Sequence, residues 1–369
     1  MDISKIDKNF AASQVDENGF RFVDVTEGAV ELEGLPWFEE NGRAFYRLPK
    51  TLTKDDVNEG ALYLANHTSG VSVRFRTDSP EIMLRAKPAF CSEFGHMART
   101  ASSFDSFRRQ PGGVYLYNST LIPAGRVELG KVEKETEDLS GLVGVSSDRE
   151  VSDWIINFPL YGGVEKVELG FKADSVLLPP VPRKVKDPVL FYGSSITQGG
   201  CASRPGNNYS AMLCREVDAP QINLGFSGCG RGEKAVAEAI ASLKLSAFVM
   251  DYDHNAPDAE YLEATHEKFF KTIREKQPEL PVIMLSKPDF QYVHKRDAAN
   301  DALRREVIKR TYANAVAAGD KNVYFIDGET LFGTEHRDLC TVDRCHPNDL
   351  GFYRMFCGVL PVLKKVLGQ

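Results

Sequence analysis

The chain has 369 residues, of which 42% are hydrophobic and 26% charged, and this composition is typical of a globular protein with a sizeable core rather than a disordered one. The formal net charge of -7 and the lack of a Lys/Arg-rich run argue against a nucleic-acid-binding surface. No apolar stretch approaches the roughly 20 residues that a membrane-spanning helix needs.

The cysteines and the first residues bear on metal binding and compartment. Seven cysteines are scattered along the chain without a C-x-x-C pair, which favours reduced thiols over a disulfide framework. Cys340, Cys345 and His346 lack the second ligand pair of a zinc site, so we expect no metal and no other cofactor. Met1–Asn9 has no apolar signal region, and we therefore expect a cytoplasmic protein.

Residues 1–180 are predicted to form a β-domain without helices. Short runs rich in Val, Phe, Tyr and Leu are separated by Gly, Pro, Asn and Asp, a pattern typical of an antiparallel β-sandwich. The predicted strands are Phe20–Val25, Ala44–Leu48, Val71–Arg76, Glu81–Ala86, Val114–Asn118, Arg126–Leu129, Trp154–Phe158 and Val164–Phe171.

The segment Lys87–Gly113 fits neither a strand nor a helix period and is predicted to be a long loop. Loops of this length tend to be functional or disordered. The segment carries Phe104, Phe107, Arg108 and Arg109, so two interpretations stay open. It either forms a wall of a neighbouring pocket or is a solvated loop with a few aromatic anchors.

The proline-rich segment Leu177–Pro188 predicts a linker, which we place at 181–188, because proline ends both helices and strands. In 189–369 apolar runs alternate with helical stretches, which predicts a parallel sheet covered on both faces. Five strands favour a doubly wound, flavodoxin-like order. The predicted strands are Val189–Tyr192, Gln221–Leu224, Ala247–Tyr252, Val282–Leu285 and Val323–Ile326, and the helices lie near Asn208–Val217, Glu233–Leu243, Asp258–Lys276, Asp297–Ala318 and Asp349–Leu367.

Polar segments follow the predicted strands at the edge where such sheets bind ligands. Ser195 follows the first strand, Gly228 the second and Asn255 the third, while Asp343 and His346 precede the last helix. Acyl transfer needs a nucleophile, a base and a carboxylate that orients the base, and Ser195, His346 and Asp343 offer these groups. The N–H groups of Ser195 and Gly228 and the Asn255 amide could bind the oxyanion.

Other residues compete for these roles. Ser194 is adjacent to Ser195, and Ser227 lies one residue short of a Gly-x-Ser-x-Gly elbow, which argues against an ordinary α/β-hydrolase. Asp343 could instead cap a helix, although Asn348 or Asp349 lies nearer to one. No other histidine has both a carboxylate three residues before it and a proline after it. We expect His254 to line the pocket and His266 and His294 to lie on the surface.

The segments that contain Ser195, Gly228, Asn255 and Asp343–His346 resemble the conserved sequence blocks of the SGNH (GDSL-type) hydrolase superfamily, and the resemblance covers residues 188–369. The resemblance implies a flavodoxin-like fold, with Ser195, Gly228, Asn255, Asp343 and His346 as the site residues. The β half, in Val71–Asp78, Val114–Tyr117 and Phe158–Gly163, is similar to the jelly-roll-like sandwich that precedes some SGNH esterases, including carbohydrate acetylesterases.

The sequence departs from the family pattern at two places. Ser194 stands where the family usually has Asp, so the hydrogen bonding near Ser195 must differ. Asp253-His254-Asn255 stands where the family commonly has Gly-x-Asn-Asp. Asn255 therefore matches the family's oxyanion donor less closely than Gly228 does. The bulkier side chains of Asp253 and His254 are expected to narrow the cleft.

Together these features predict a metal-independent serine esterase that removes short acyl groups, above all acetyl, from a carbohydrate. Asp251, His254, Arg204 and Tyr209 are candidate substrate contacts, although Asp251 could equally be a buried partner of a loop amide. The expected partner is a small-molecule or oligosaccharide ester, with neither nucleic acid nor membrane involved and a homo-oligomer left open. The alternatives are an acylhydrolase or acyltransferase acting on a lipid, thioester or secondary metabolite, and a carbohydrate-binding protein with a silent hydrolase domain.

Overall fold

The structure is a computed structural model that describes residues 15–91, 101–123, 138–288 and 295–369. In its N-terminal half, strands form two antiparallel sheets, with the orders β1-β9-β4-β7 and β10-β3-β8-β5-β6, and β2 pairs with β3. The strands are β1 (Phe20–Asp24), β2 (Glu31–Glu33), β3 (Ser72–Thr77), β4 (Glu81–Cys91), β5 (Phe104–Arg109), β6 (Tyr115–Leu121), β7 (Leu139–Val145), β8 (Ser152–Asn157), β9 (Gly162–Lys172) and β10 (Leu177–Leu178).

The two antiparallel sheets bury a common apolar core. Val73 and Phe75 of one sheet pack in the same cluster as Leu84 and Leu169 of the other, and Trp154 is almost fully buried among them. Because strand side chains alternate between faces, each sheet gives one apolar face to this core. The arrangement is the predicted β-sandwich.

The C-terminal half contains a parallel five-stranded sheet with the order β12-β11-β13-β14-β15. Its strands are β11 (Val189–Gly193), β12 (Gln221–Gly225), β13 (Ala247–Asp251), β14 (Val282–Leu285) and β15 (Val323–Ile326). The helices of this half are α2 (Ser195–Gln198), α3 (Tyr209–Val217), α4 (Lys234–Ala241), α5 (Ala259–Lys276), α6 (Lys295–Ala317) and α7 (Asp349–Val366).

Both faces of the parallel sheet are covered. Leu190 and Tyr192 point into one apolar cluster, whereas Val189 and Phe191 point into the other. This burial on both sides explains why these strands are continuous apolar runs in the sequence. The predicted doubly wound, flavodoxin-like fold class is therefore confirmed.

The segment before β3 packs on the parallel sheet rather than only within the sandwich. Trp37, Leu48 and Leu64 belong to the same core cluster as Leu190 of β11. The segment includes the helix α1 (Glu59–Leu64), whose N-cap Asn58 accepts a hydrogen bond from the Ala61 N–H. The prediction of a helix-free β half was therefore wrong.

Other local predictions also need correction. Ala44–Leu48 is not a strand; Phe45 packs in the core of the sandwich and Leu48 in a core beside the parallel sheet. The predicted loop Lys87–Gly113 is largely ordered, since β4 runs to Cys91 and β5 covers Phe104–Arg109; residues 92–100 lie outside the described residues. Leu177–Leu178 pairs with β3 and so precedes any linker. Arg126–Leu129 lies outside the described residues, and the domain boundaries stay a prediction.

None of the helices in the described part of the chain has the length and apolar character needed to cross a bilayer.

Candidate active site

Ser195 begins α2 immediately after β11. Ser194 caps this helix, since its Oγ accepts a hydrogen bond from the Ile196 N–H at 3.1 Å. Gly193 allows the sharp turn, because a Cβ there would lie 2.0 Å from Thr197 Oγ1 and 2.2 Å from the Asp251 carbonyl oxygen. The turn leaves the Ser195 side chain, 5% exposed as a residue, at the carboxyl edge of the sheet.

The strand order explains why distant loops meet at Ser195. β11 lies between β12 and β13, so the chain leaves β11 at the point where the order of the sheet reverses. Loops after neighbouring parallel strands converge at such a point and form a crevice. Gly228 follows β12 and Asn255 follows β13, and both line the same cleft as Ser195.

The structure brings Ser195, His346 and Asp343 together. Ser195 Oγ lies 2.9 Å from His346 Nε2, and His346 Nδ1 lies 2.7 Å from Asp343 Oδ2. An ionised carboxylate only accepts hydrogen bonds, so Nδ1 donates to Asp343 and Nε2 is left to accept the Ser195 proton. Burial acts to raise the pKa of Asp343, but hydrogen bonds from the backbone and ring of His346 outweigh it and lower this pKa.

A short turn presents His346 and Asp343 to Ser195. Thr341 and Pro347 form an isolated antiparallel bridge, and the Val342 N–H donates to the His346 carbonyl oxygen. Asp343 Oδ1 also accepts from the His346 N–H at 2.7 Å, which fixes the carboxylate within the turn. The cap of α7 is Asn348, so Asp343 is not a helix cap.

The three residues that are predicted to bind the oxyanion, Ser195, Gly228 and Asn255, line one cleft. Ser195 is the first residue of α2, where N–H groups have no partner within the helix. Among the described residues, no acceptor takes the N–H of Ser195 or of Gly228. Asn255 Oδ1 accepts from the Gly230 N–H at 3.3 Å, which orients the amide and leaves its NH₂ group for the cleft. Gly228 has φ +69, a left-handed conformation that favours glycine.

The cleft has a volume of about 570 Å³, and most of its lining residues carry polar or charged side chains. Besides the residues above, Lys287, Asp301 and Arg304 form one wall; Lys287 Nζ lies 2.7 Å from Asp301 Oδ2. Lys287 follows β14, so the strand-end argument could have found it. Asp301 and Arg304 lie on α6, and nothing in the local sequence marks them as cleft residues.

Of the predicted substrate contacts, only His254 lines the cleft in the described part of the chain. Asp251 and Tyr209 are fully buried, and the Tyr209 hydroxyl donates to Asp251 Oδ2 at 2.9 Å. Arg204 pairs instead with Asp105 of the sandwich at 3.1 Å and covers the Tyr117 ring. The structure thus gives these three side chains structural partners and does not bring them to the cleft.

The side chains at β5 that could have formed a pocket wall also have structural partners instead. Phe104 and Phe107 are buried, and Arg108 pairs with Asp148 at 2.6 Å. None of these side chains lines the Ser195 cleft as the structure describes it.

The other histidines occupy different environments. His266 is buried, 1% exposed, and hydrogen-bonded to Thr311 at 2.9 Å, so its predicted surface position was wrong. His294 lies outside the described residues. His254 is hydrogen-bonded to Ser194 and to Asp253.

One group of described side chains could in principle ligate a metal ion. Donor atoms of Asp251, Asp253 and His254 lie within 4.8 Å of one another. The ring of His254, however, is hydrogen-bonded at both nitrogens, to Ser194 and to Asp253. These bonds favour a hydrogen-bonded network over a metal site.

Two family models match the chain. Residues 186–364 match the GDSL-like lipase/acylhydrolase family, and residues 20–177 match the N-terminal domain of esterases of the SGNH hydrolase type. A search of curated proteins finds no significant match.

Solved structures share the whole architecture. A protein of Bacteroides ovatus assigned as a GDSL-like lipase is 27% identical with a TM-score of 0.82, over 95% of this chain and 98% of that one. A salicylyl-acyltransferase of a tetracycline biosynthetic pathway is 19% identical with a TM-score of 0.73, over 96% and 100%. An acetyl xylan esterase of Butyrivibrio proteoclasticus is 14% identical with a TM-score of 0.56, over 95% and 99%.

The last two likenesses show the fold alone. The matched models and the strand order agree over both halves, and the segments around Ser195, Gly228, Asn255 and His346 agree with them over residues 188–369. Residues 186–364 therefore belong to the GDSL-like lipase/acylhydrolase family, and residues 20–177 are the N-terminal domain found in SGNH-type esterases.

Proposed function

We propose that this hydrolase is a serine esterase that releases short acyl groups, above all acetyl, from a carbohydrate. The observation that carries the proposal is the 2.9 Å contact between Ser195 Oγ and His346 Nε2 in an open cleft, with Asp343 on the other ring nitrogen. A nucleophile, a base and an orienting carboxylate in this order are the groups that acyl transfer requires.

The reaction proceeds in two steps, acylation of Ser195 and hydrolysis of the acyl-enzyme. Ser195 Oγ attacks the ester carbonyl carbon while His346 Nε2 takes the hydroxyl proton, and the carbonyl oxygen becomes an oxyanion facing the N–H groups of Ser195 and Gly228 and the Asn255 amide. His346 then gives its proton to the departing alkoxide, which leaves as an alcohol. His346 Nε2 then takes a proton from water as the water oxygen attacks the acyl carbon, and it returns this proton to Ser195 Oγ as the acyl–Oγ bond breaks, which releases the carboxylic acid and the free Ser195 hydroxyl.

The lining of the cleft supports a short acyl group and a polar alcohol. Among its described lining residues there is no aliphatic side chain and no Phe, Tyr or Trp that could hold a long hydrocarbon chain. Hydroxyl-rich alcohols such as sugars can instead exchange hydrogen bonds with Asn300, Asp301 and Arg344. The carbohydrate esterases among the structural neighbours are consistent with this choice at the level of fold.

A panel of esters tests the proposal. We expect the protein to release acetate from acetylated oligosaccharides and from p-nitrophenyl acetate, and to act at least a hundredfold more slowly on long-chain esters. Ser195→Ala should abolish turnover and leave binding of the deacetylated oligosaccharide intact.

Other results of the ester panel would each indicate a different function for the protein. Preference for long-chain esters would indicate a lipase-like acylhydrolase. Acyl transfer to an added alcohol that outruns hydrolysis would indicate an acyltransferase. Binding of the oligosaccharide without turnover would indicate a carbohydrate-binding protein with a silent site, and unchanged turnover in Ser195→Ala would defeat the nucleophile assignment.

A further inference from the structure

Ser194, the neighbour of the proposed nucleophile, contacts a second imidazole. Ser194 Oγ lies 2.5 Å from His254 Nε2, and His254 Nδ1 lies 2.8 Å from Asp253 Oδ1. A second Ser–His–Asp series therefore runs beside the first. Ser194 is 0% exposed, and the His254 and Asp253 side chains are 6% and 3% exposed. This burial makes Ser194 unsuited to attack a substrate.

The hydrogen bonds of this series have a defined direction. Hydrogen bonds from His254 and from the Lys287 N–H offset the burial of Asp253 and lower its pKa, so its carboxylate is ionised and only accepts. His254 Nδ1 therefore donates a hydrogen bond to Asp253, and His254 Nε2 accepts a hydrogen bond from the Ser194 hydroxyl. The Ser194 oxygen in turn accepts from the Ile196 N–H at the start of α2. Each polar atom of the series has its partner.

The series joins the loops that carry the three oxyanion donors. Ser194 caps the helix whose first residue is Ser195. His254 precedes Asn255, whose Oδ1 is tied to Gly230 in the loop of Gly228. Through the Lys287 N–H, Asp253 also holds the loop after β14. A change anywhere in the series would shift Asn255 relative to the Ser195 N–H.

We propose that Ser194, His254 and Asp253 are positioning residues that set the spacing between the Ser195 N–H and the Asn255 amide. The inference rests on the proposed role of Ser195 as nucleophile. Donors act on a developing oxyanion only when they are fixed about 2.7–3.1 Å from it, and donors on separate loops need a link to hold that distance. Ser194 stands where related sequences carry Asp, and here Asp253 supplies the carboxylate through an imidazole.

Steady-state kinetics on p-nitrophenyl acetate test the inference. Ser194→Ala, His254→Phe and Asp253→Asn should each lower kcat at least 30-fold and change KM less than threefold, because the lost spacing matters most in the transition state. The double variant Ser194→Ala/His254→Phe should be no more than threefold slower than the slower single variant. Ser194→Thr, which keeps a hydroxyl that accepts from the Ile196 N–H and donates to His254 Nε2, should recover kcat to within fivefold of wild type.

A matched control separates positioning from simple loss of a helix cap. Asp258 caps α5 through the Tyr261 N–H at 2.7 Å and lies outside the cleft lining. Asp258→Ala should lower stability yet keep kcat within twofold of wild type. If Ser194→Ala lowers kcat but His254→Phe and Asp253→Asn do not, Ser194 is a cap only and the inference is overturned.

The inference and the proposed function fail in different ways. If wild type hydrolyses the ester, Ser195→Ala does not, and all three positioning variants keep kcat within threefold, only the inference is lost. If wild type shows no esterase activity, urea unfolding of Ser194→Ala, His254→Phe and the double variant decides instead. Additive losses in the free energy of unfolding would show that Ser194 and His254 are uncoupled, and losses well below additive would support the series.

Discussion

The Arg47 guanidinium donates a hydrogen bond to the Gly225 carbonyl oxygen at 3.0 Å, three positions before Gly228, the proposed oxyanion donor. The same nitrogen donates to the Asn223 carbonyl oxygen at 2.8 Å, and the side chain is 0% exposed. Its other donors go to the carbonyl oxygens of His67 and Leu64 in the N-terminal half. The N-terminal half therefore helps to hold the loop that leads to Gly228.

Arg47→Met should destabilise the protein and slow the reaction. Methionine keeps much of the volume but leaves four buried carbonyl oxygens without this donor, and each such loss typically costs about 1–3 kcal/mol before relaxation. We expect the free energy of unfolding in urea to fall by about 3 kcal/mol and kcat to fall about tenfold. Arg310→Met, which removes a half-exposed ion pair with Glu263, should cost less than about 1 kcal/mol and leave kcat unchanged. Equal stability of wild type and Arg47→Met would contradict this role.

The sequence was sufficient for the parallel sheet and for the residues that meet at its edge. Short apolar runs such as Val189–Tyr192 alternate with helices, and parallel strands place their carboxyl ends together, so the pattern located the pair Ser194-Ser195 at this edge. The family resemblance then chose Ser195 over Ser194. His346 could be chosen over other histidines because Asp343 lies three residues before it and Pro347 follows it. These are local signals, and the strand order supplies the remaining geometry.

The sequence was insufficient where long-range contacts decide the structure. A charged residue such as Arg47 is normally exposed, and only carbonyl groups as many as 178 positions away explain its burial. His266 was misplaced for a different reason. It lies four residues after Leu262 and three before Phe269 on the buried face of α5, so helical spacing could have revealed its position.

Asn255→Ala tests the oxyanion assignment. The amide, oriented by the Gly230 N–H, would stabilise charge that appears only in the transition state. We expect kcat on p-nitrophenyl acetate to fall about 10²–10³-fold with little change in KM, as removal of one such donor usually gives. Asn314→Ala, an exposed site on α6, serves as the control and should be silent. A rise in KM at constant kcat would mean that Asn255 binds substrate rather than the oxyanion.

Asp343→Asn separates orientation of the base from overall stability. Asparagine disfavours the ring tautomer that accepts the Ser195 proton, so kcat should fall by roughly 10²–10⁴-fold. Because hydrogen bonds lower the pKa of Asp343 in the folded state, its carboxylate stabilises the fold above the ordinary pKa of about 4. That contribution is lost as the pH falls through the lower folded pKa.

The stability difference between Asp343→Asn and wild type should therefore be modest at pH 7, since the Asp343 side chain is 39% exposed, and should shrink below pH 4. Urea unfolding at pH 7 and pH 3 measures it. Asp174→Asn, on an exposed pair with Arg149, should leave kcat at the wild-type value. A difference that grows in acid would show that the ionised carboxylate does not stabilise the folded state.

His67 should make the fold sensitive to acid. Burial, and secondarily the charge of Arg47, lowers the pKa of His67 to about 3. The ordinary pKa in the unfolded chain is about 6.5, so the neutral ring stabilises the fold above pH 6.5, and this contribution is lost progressively between pH 6.5 and 3. Between pH 7 and pH 5 the free energy of unfolding should fall by about 2 kcal/mol because of this residue.

In His67→Gln that part of the pH dependence should disappear. The part due to His266 should remain, because burial lowers the pKa of His266 to about 4 and the variant does not change that residue. Urea unfolding of both proteins at pH 7, 6 and 5 measures the difference, and parallel curves would refute the assignment to His67.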